Sequence, residues 1–424
     1  MPLNLLRVAF GELVKRHLVD TRPLGVAAFR RIWLGQTVSN IGVGVTVVAV
    51  GQQVWELTHS SFYVGLLGMA SFIPLIVFGL WGGAVADAVD RRKLLLVGSL
   101  IAWGSTVFIL VQALVGLDNV WLIFAAVALN STGFAITGPT RGAIIPRILT
   151  PELVPAANAL NSLVYSIGAV AGPMIGAVAL ANGGFAAAYG VDALLFTASL
   201  YAALRLPSLP PLGEVRRPGA RAVAEGLRFI AGSPVLMMSF VVDIIAMVFA
   251  MPRALFPELT EVSFGGSPVA LGWLNAAMAI GSVVGALFSG WVSRVSRQGV
   301  ALVIVITVWG LAVAAAGLAD SLWLVVTFLA VGGVADVISS VWRQSILQLY
   351  APDEMRGRLQ GVFTVVVAGG PRLGELRAGA TATMFGLSGA WVGGGIACAI
   401  TVIAVGLSVS GFRNFRAHQS TAPR

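Results

Sequence analysis

Near the end of the chain, inside a long apolar stretch, runs VAGGPRLGELRAGAT, which sets Arg372, Glu375 and Arg377 among Val, Ala, Leu and Gly. A charge at the centre of a membrane helix costs about 2.5–3.5 kcal/mol on insertion scales, so three within six positions call for a reason. Arg372 and Glu375 are three residues apart, roughly 300° around a helix, and therefore share a face. Two roles fit that spacing and both stay open: a self-neutralising structural pair, or a transport site in which a carboxylate exchanges protons beside a guanidinium. Arg377 points to another side and needs a partner on another helix. The preceding Gly369, Gly370 and Pro371 are expected to interrupt the helix, because proline leaves a carbonyl without its amide partner. Asp243 lies about 14 Å into its own apolar run and Arg372 about 20 Å into its run, both near the middle of a ~30 Å core. Asp336 lies closer to the membrane surface, on the same helical side as Arg343.

Other chemistries lack their residues. A single cysteine, Cys398, leaves no intramolecular disulfide and no thiolate cluster. His17, His59 and His418 fall outside the apolar runs, so a haem or zinc site within the membrane lacks its usual ligands. No G-x-x-x-x-G-K-[ST] loop occurs, and the loops are too short for a catalytic domain and hold no nucleophile–base set. No enzymatic activity, metal or cofactor is expected.

The elements that position these charges are membrane helices. Of 424 residues, 57% are hydrophobic and 11% charged, against about 25% charged in soluble domains. Spans are expected at about 32–55, 62–87, 94–115, 120–140, 156–180 and 185–206, then 234–257, 269–292, 299–319, 321–343, 359–385 and 389–411. The fold class is an all-α polytopic membrane protein. The first run, Ile32 to Trp55, exceeds twenty residues with no cleavage pattern after a short core, so it reads as a span and not a signal peptide. Arg30, Arg31, Arg91, Arg92, Lys93, Arg147, Arg205 and the later basic residues fall on the side of the termini, whereas ELTHSS, LDN and TEVSFGGS carry no Lys or Arg. That asymmetry places both termini in the cytoplasm. The net charge of +9 thus orients the chain in a bilayer, and no nucleic-acid partner is expected. Trp33, Trp55, Trp121, Trp323 and Trp391 lie near span ends, at the expected headgroup level.

The domain boundaries follow. Residues 1–31 form a cytoplasmic interfacial segment, 32–206 a six-helix bundle, 207–233 a cytoplasmic linker, 234–411 a second six-helix bundle and 412–424 a cytoplasmic tail. The linker PSLPPLGEVRRPGARAVAEGLRFIAGSP ends in an amphipathic stretch around Arg221–Ile230. The bundles echo each other: Gly83 aligns with Gly290, Arg141 with Arg343, Glu152 with Glu354, and Gly172-Pro173 with Gly370-Pro371. Repeated six-span halves are an arrangement of secondary transporters, with the substrate site between them near the midplane.

GGAVADAVDRRK resembles the G-x-x-x-D-R-x-G-R-[RK] loop signature of the major facilitator superfamily through Gly83, Asp87, Arg91 and Arg92, with Ala88 and Asp90 departing from it. GAVAGPMIG resembles the span-five G-x-x-x-G-P-x-x-G signature of proton-driven exporters through Gly168, Gly172, Pro173 and Gly176. From Phe29 to Arg416 the chain is similar to the twelve-span exporter branch that handles siderophores and drugs. The resemblance implies two pseudo-symmetric six-helix bundles and a monomeric exporter of an amphiphilic small molecule, driven by protons, in the bacterial cytoplasmic membrane. It implies a conformational latch at Gly83, Asp87, Arg91 and Arg92, between spans two and eleven. Because spans seven, ten and eleven border the cavity in that fold, Asp243 and Glu375 rank first as proton carriers, with Arg372 as their partner or a substrate contact and Asp336 as a further candidate. Span six lies peripherally there, so Asp192 reads as a local hydrogen-bonding residue. The branch's usual span-four arginine is missing around LNSTGFAITG. An importer or uniporter on the same fold is the alternative reading.

Overall fold

The computed structural model describes residues 20–210, 220–352 and 355–415, apart from the side chains of 79–88, 220–223, 293 and 356–358. Among these residues there is no strand, and ten helices are long and apolar enough to cross a membrane. Two of them, Val154–Leu204 and Arg356–Ser408, run 51 and 53 residues, about 75–80 Å and more than twice a bilayer core. Each breaks at glycine: Gly184 takes φ +63° beside Gly183, and Gly386 takes φ +72°, a region open to a residue without Cβ. The ten helices therefore supply twelve spans. Spans one to four are Ala27–Thr58, Ser61–Ala88, Arg91–Val115 and Val120–Ile148; five and six are 154–182 and 185–204. Spans seven to ten are Pro234–Ala250, Pro268–Leu287, Gln298–Gly317 and Leu322–Tyr350; eleven and twelve are 356–385 and 387–408. The linker's amphipathic stretch is the helix Ala220–Gly232. The expected interfacial segment, at residues 1–19, and the tail beyond 415 lie outside the described residues.

Several boundaries differ from expectation for local reasons. Span four runs past 140 to Ile148, which brings Arg141 into the helix, where its Nη2 donates to Ser199 Oγ of span six at 3.2 Å. Span seven stops at Ala250, because Met251 precedes Pro252 and the residue before a proline is pushed out of the helical region. A 3-10 turn, Arg253–Leu255, and a short helix, Phe256–Phe264, follow it. Trp121 and Trp323 are exposed at span ends, but Trp55 and Trp391 are buried in protein and not in headgroups. Trp55 Nε1 donates to Glu261, and Trp391 Nε1 donates to the Val313 carbonyl at 2.8 Å.

With an even number of spans, both ends of the described chain lie on one face, here the terminal face; the opposite is the far face. The halves meet through span two on span eleven and span five on span eight. The first contact is close: a Cβ at Gly65 would lie 2.3 Å from the Glu375 carbonyl oxygen. Three hydrogen bonds cross between the halves among the described residues: Trp55 to Glu261, Ser61 to Glu258, and Arg372 Nε to Ser71 Oγ at 2.8 Å. The first two lie at the far face and the third at mid-depth, so among the described residues the polar closure lies on the far side.

Candidate functional site

Below that closure lies a cavity of about 370 Å³. Much of its wall is apolar, including Val43, Val47, Leu67, Leu75, Ile109 and Phe134. Into this wall the first half sets Thr46, Ser71, Thr106, Asn130 and Asp192, and the second half sets Arg253, Asn275, Arg372 and Glu375. A mostly apolar cleft with a few convergent polar groups suits an amphiphilic small molecule.

Arg372 and Glu375 share the cavity face, as their spacing predicts, but no ion pair within 4 Å joins them. Arg372 Nε donates to Ser71 Oγ at 2.8 Å and Nη1 to the Ala368 carbonyl at 2.6 Å. Glu375 Oε2 lies against span two, where a Cβ at Gly68 would sit 2.8 Å from it. The expected interruption at Pro371 does not occur. The helix runs through it, and the adjacent glycines serve close packing instead: a Cβ at Gly369 would lie 2.4 Å from the Phe72 ring, and one at Gly374 2.0 Å from the Met247 carbonyl.

Arg253 is the charged cavity-lining residue that sequence inspection misses, because an apolar run drawn to 257 absorbs it. The signal was the flanking prolines in MPRALFP, which end the span and turn Arg253 into the cavity. Its charge and that of Arg372 both act on Glu375, and its Nε is buried without a hydrogen-bond partner.

Asp243 belongs to a different set. It is 4% exposed and ion-paired with Arg343 Nη1, while Arg343 Nη2 reaches Asp336 Oδ1 at 3.7 Å. The expectation that Arg372 partners Asp243 is therefore corrected: similar depth does not bring the two together, and Asp243 is absent from the cavity wall. Asp192 is likewise corrected from peripheral to cavity-lining, although it does bond locally, accepting from Thr46 Oγ1 at 2.6 Å and Thr106 Oγ1 at 3.4 Å. Arg377 finds its partner in span seven: Nε donates to the Val248 carbonyl at 3.0 Å and Nη2 to that of Phe249.

Of the latch residues, the side chains of Gly83 and Asp87 lie outside those described. Arg91 Nη1 donates to the Ala143 carbonyl at 3.1 Å and Arg92 Nη2 to that of Leu204 at 2.8 Å, both within the same half. Asp90, which departs from the loop signature, caps span three through the Arg92 N–H at 2.8 Å and also accepts from Ser208 and the Leu209 N–H. Those donors, the Ser208 hydroxyl first, hold its carboxyl below the usual range. Gly172 of span five packs on Gly44 of span one, flanked by Gly168 on Asn40 and Gly176 on Val45, while the Pro173 carbonyl faces Gly272 of span eight.

The family described as transmembrane secretion effector matches residues 20–421. The enterobactin exporter EntS of Shigella boydii serotype 18 is 31% identical over 378 residues, 88% of this chain and 88% of that protein. The enterobactin exporter EntS of Escherichia coli O139:H28 is 30% identical over the same extent. Among solved structures, the nucleoside transporter NupG matches with a TM-score of 0.70 at 15% identity, covering 89% of this chain and 98% of that one. A bacterial homologue of the human lysosomal transporter Spinster, solved inward-facing and unoccupied, matches with a TM-score of 0.70 at 16% identity, covering 95% and 98%. At such identities the two structures speak for the fold alone.

Proposed function

The chain belongs to the transmembrane secretion effector family of the major facilitator superfamily, and we propose that it exports a siderophore or a similar amphiphilic molecule from the bacterial cytoplasm by proton-driven alternating access. Membership makes it a multi-pass membrane transporter and not an enzyme. The observation that carries the export reading is the cavity between the halves, whose wall below the far-side closure holds Arg253, Arg372 and Glu375. Two guanidinium groups against one acid favour a substrate with an acidic group, held by charge-assisted hydrogen bonds while its apolar body fills the valine- and leucine-lined wall. The relatives named as enterobactin exporters support the siderophore class.

The excess of Lys and Arg on the terminal face supports a cytoplasmic position for both termini. With that orientation the far-side closure is periplasmic, and the cavity seen here is the loading state of a monomer. The halves, 32–206 and 234–411, then rock about the cavity. In this reading the proton is carried by a buried carboxylate of the membrane-spanning helices, and Asp87 with Arg91 and Arg92 latches one closed state.

The direction is measured with enterobactin as the probe in inverted membrane vesicles. An imposed gradient, acid inside, should drive accumulation that a protonophore abolishes. Accumulation in right-side-out vesicles alone would establish the importer reading in its place.

A further inference from the structure

Asp192 is the acidic side chain that the N-terminal half contributes to the cavity wall among the described residues. It is 1% exposed, its Oδ2 accepts from Thr46 and Thr106, and its Oδ1 has no hydrogen-bond partner. Gly42 of span one makes room for it, since a Cβ there would lie 2.3 Å from Oδ1. No cation faces it. Span one has no charged residue between Arg31 and Glu56, span three none between Lys93 and Asp118, and span six none besides Asp192 itself before Arg205. Span four, on the same wall through Asn130 and Ser131, has none before Arg141. The charges that line the cavity with it are Arg253, Arg372 and Glu375 of the other half.

The other buried acids described above have cationic neighbours: Asp243 has Arg343, and Glu375 has Arg253 and Arg372. A desolvated carboxylate without one is costly as an anion and much less so as the neutral acid. A purely structural role, joining two threonine hydroxyls, needs only an amide or a hydroxyl and no ionisable group. One turn along span six, the Tyr189 hydroxyl donates to Gln53 Oε1 at 2.7 Å. Gln53 Nε2 donates to Gln112 Oε1 at 3.4 Å, and Gln112 Nε2 to the Leu117 carbonyl at the far face. A buried chain of hydrogen bonds therefore runs from one turn beyond Asp192 to the face that is closed here.

We propose that Asp192 is the proton-binding site of the transport cycle. This rests on the proton-coupled reading above. In the present state one proton is bound on the carboxyl group; it returns to water when rearrangement of the halves wets the wall around Thr46 and Thr106. Ionised Asp192 demands water between spans one and six, so loss of the proton opposes the dry packing seen here.

The test that needs no substrate is infrared spectroscopy of the purified full chain in D2O, titrated with pH. A protonated carboxyl has a carbonyl stretch that a carboxylate lacks. Wild type should show such a component, lost in Asp192→Asn and kept in Asp243→Asn and Glu375→Gln. Asparagine keeps the volume and the oxygen that accepts from the threonines. Thr46→Val, which removes one donor, should shift the same component, so the assignment does not depend on one variant's folding. A component that survives Asp192→Asn, or one unmoved by Thr46→Val, overturns the proposal. In vesicles with enterobactin, Asp192→Asn should lose gradient-driven accumulation; retained accumulation also overturns it. Absence of any gradient response in wild type sinks the coupling reading itself, and the infrared result still decides whether Asp192 holds the proton.

Discussion

Arg253 and Arg372 line the cavity with Glu375 from two elements, neither is joined to it by an ion pair within 4 Å, and the Arg253 Nε, buried without a hydrogen-bond partner, is left to a ligand. A hydrogen bond to a charged group contributes about 1.5–3 kcal/mol, so Arg253→Gln should weaken enterobactin binding by about tenfold or more at normal membrane expression. Arg253→Lys should restore it only in part, because an ammonium lacks the planar fork. Unchanged affinity in Arg253→Gln would remove the arginine from the site. The second cluster behaves differently. Arg343→Gln strands buried Asp243 and should cost about 3–5 kcal/mol, whereas Arg343→Gln with Asp243→Asn should recover most of that loss. The lone Cys398, 0% exposed, reports unfolding through its reaction with a thiol dye, which makes the comparison direct. A double variant no more stable than Arg343→Gln would contradict the pairing. Arg372, Glu375 and Asp243 were legible in the sequence because ionisable groups stand out in apolar runs. Their partners were not: Asp243 and Arg343 are a hundred positions apart, and only tertiary packing brings them together.

Among elements, the broken end of span seven shows what the sequence leaves open. Pro252 stops the helix, and the carbonyls of Val248 and Phe249 would be stranded at membrane depth without Arg377, which reaches across from span eleven. Arg377→Leu leaves them unpaired, at about 1–3 kcal/mol each, and should lower the unfolding temperature read at Cys398. An unchanged temperature would mean that water or another donor takes the arginine's place. The glycine breaks after spans five and eleven coincide with gaps between apolar runs, so twelve spans could be read without a structure. Pro371 misled because a proline inside a helix signals a break only where no packing supports the chain, and here spans two and seven close around it. Asp90 carries a pH dependence with a definite sign. Its folded carboxyl titrates below the usual value of about 3.9, so its contribution is complete above that value and is lost as pH falls through the lower, folded one. The protection of the Leu209 amide, its exchange rate relative to the intrinsic rate at each pH, should therefore fall only in that acid range, and Asp90→Asn should remove this change in protection.

At the scale of the whole molecule, the two halves and their repeat were visible in the sequence, but the state of the transporter was not, since both states contain the same helices. Among the described residues, the contacts that cross between halves hold the far face closed: Trp55 to Glu261 and Ser61 to Glu258 there, with Arg372 to Ser71 at mid-depth. Such bonds must break for the far face to open, so joining one pair covalently should hold the molecule in the present state. In a Cys398→Ser background, Ser61→Cys with Glu258→Cys treated with a short bifunctional thiol reagent should stop vesicle transport, and either single cysteine should not. The orientation of that closure is measured in the same background: a cysteine at Ser60 should label from outside intact cells and one at Ser296 should not. Labelling at Ser296 alone would place the closed face in the cytoplasm and make the cavity an outward-facing one. Transport that continues after cross-linking would mean that the halves need not separate at Ser61, and a rocking motion about the cavity could not then be the mechanism.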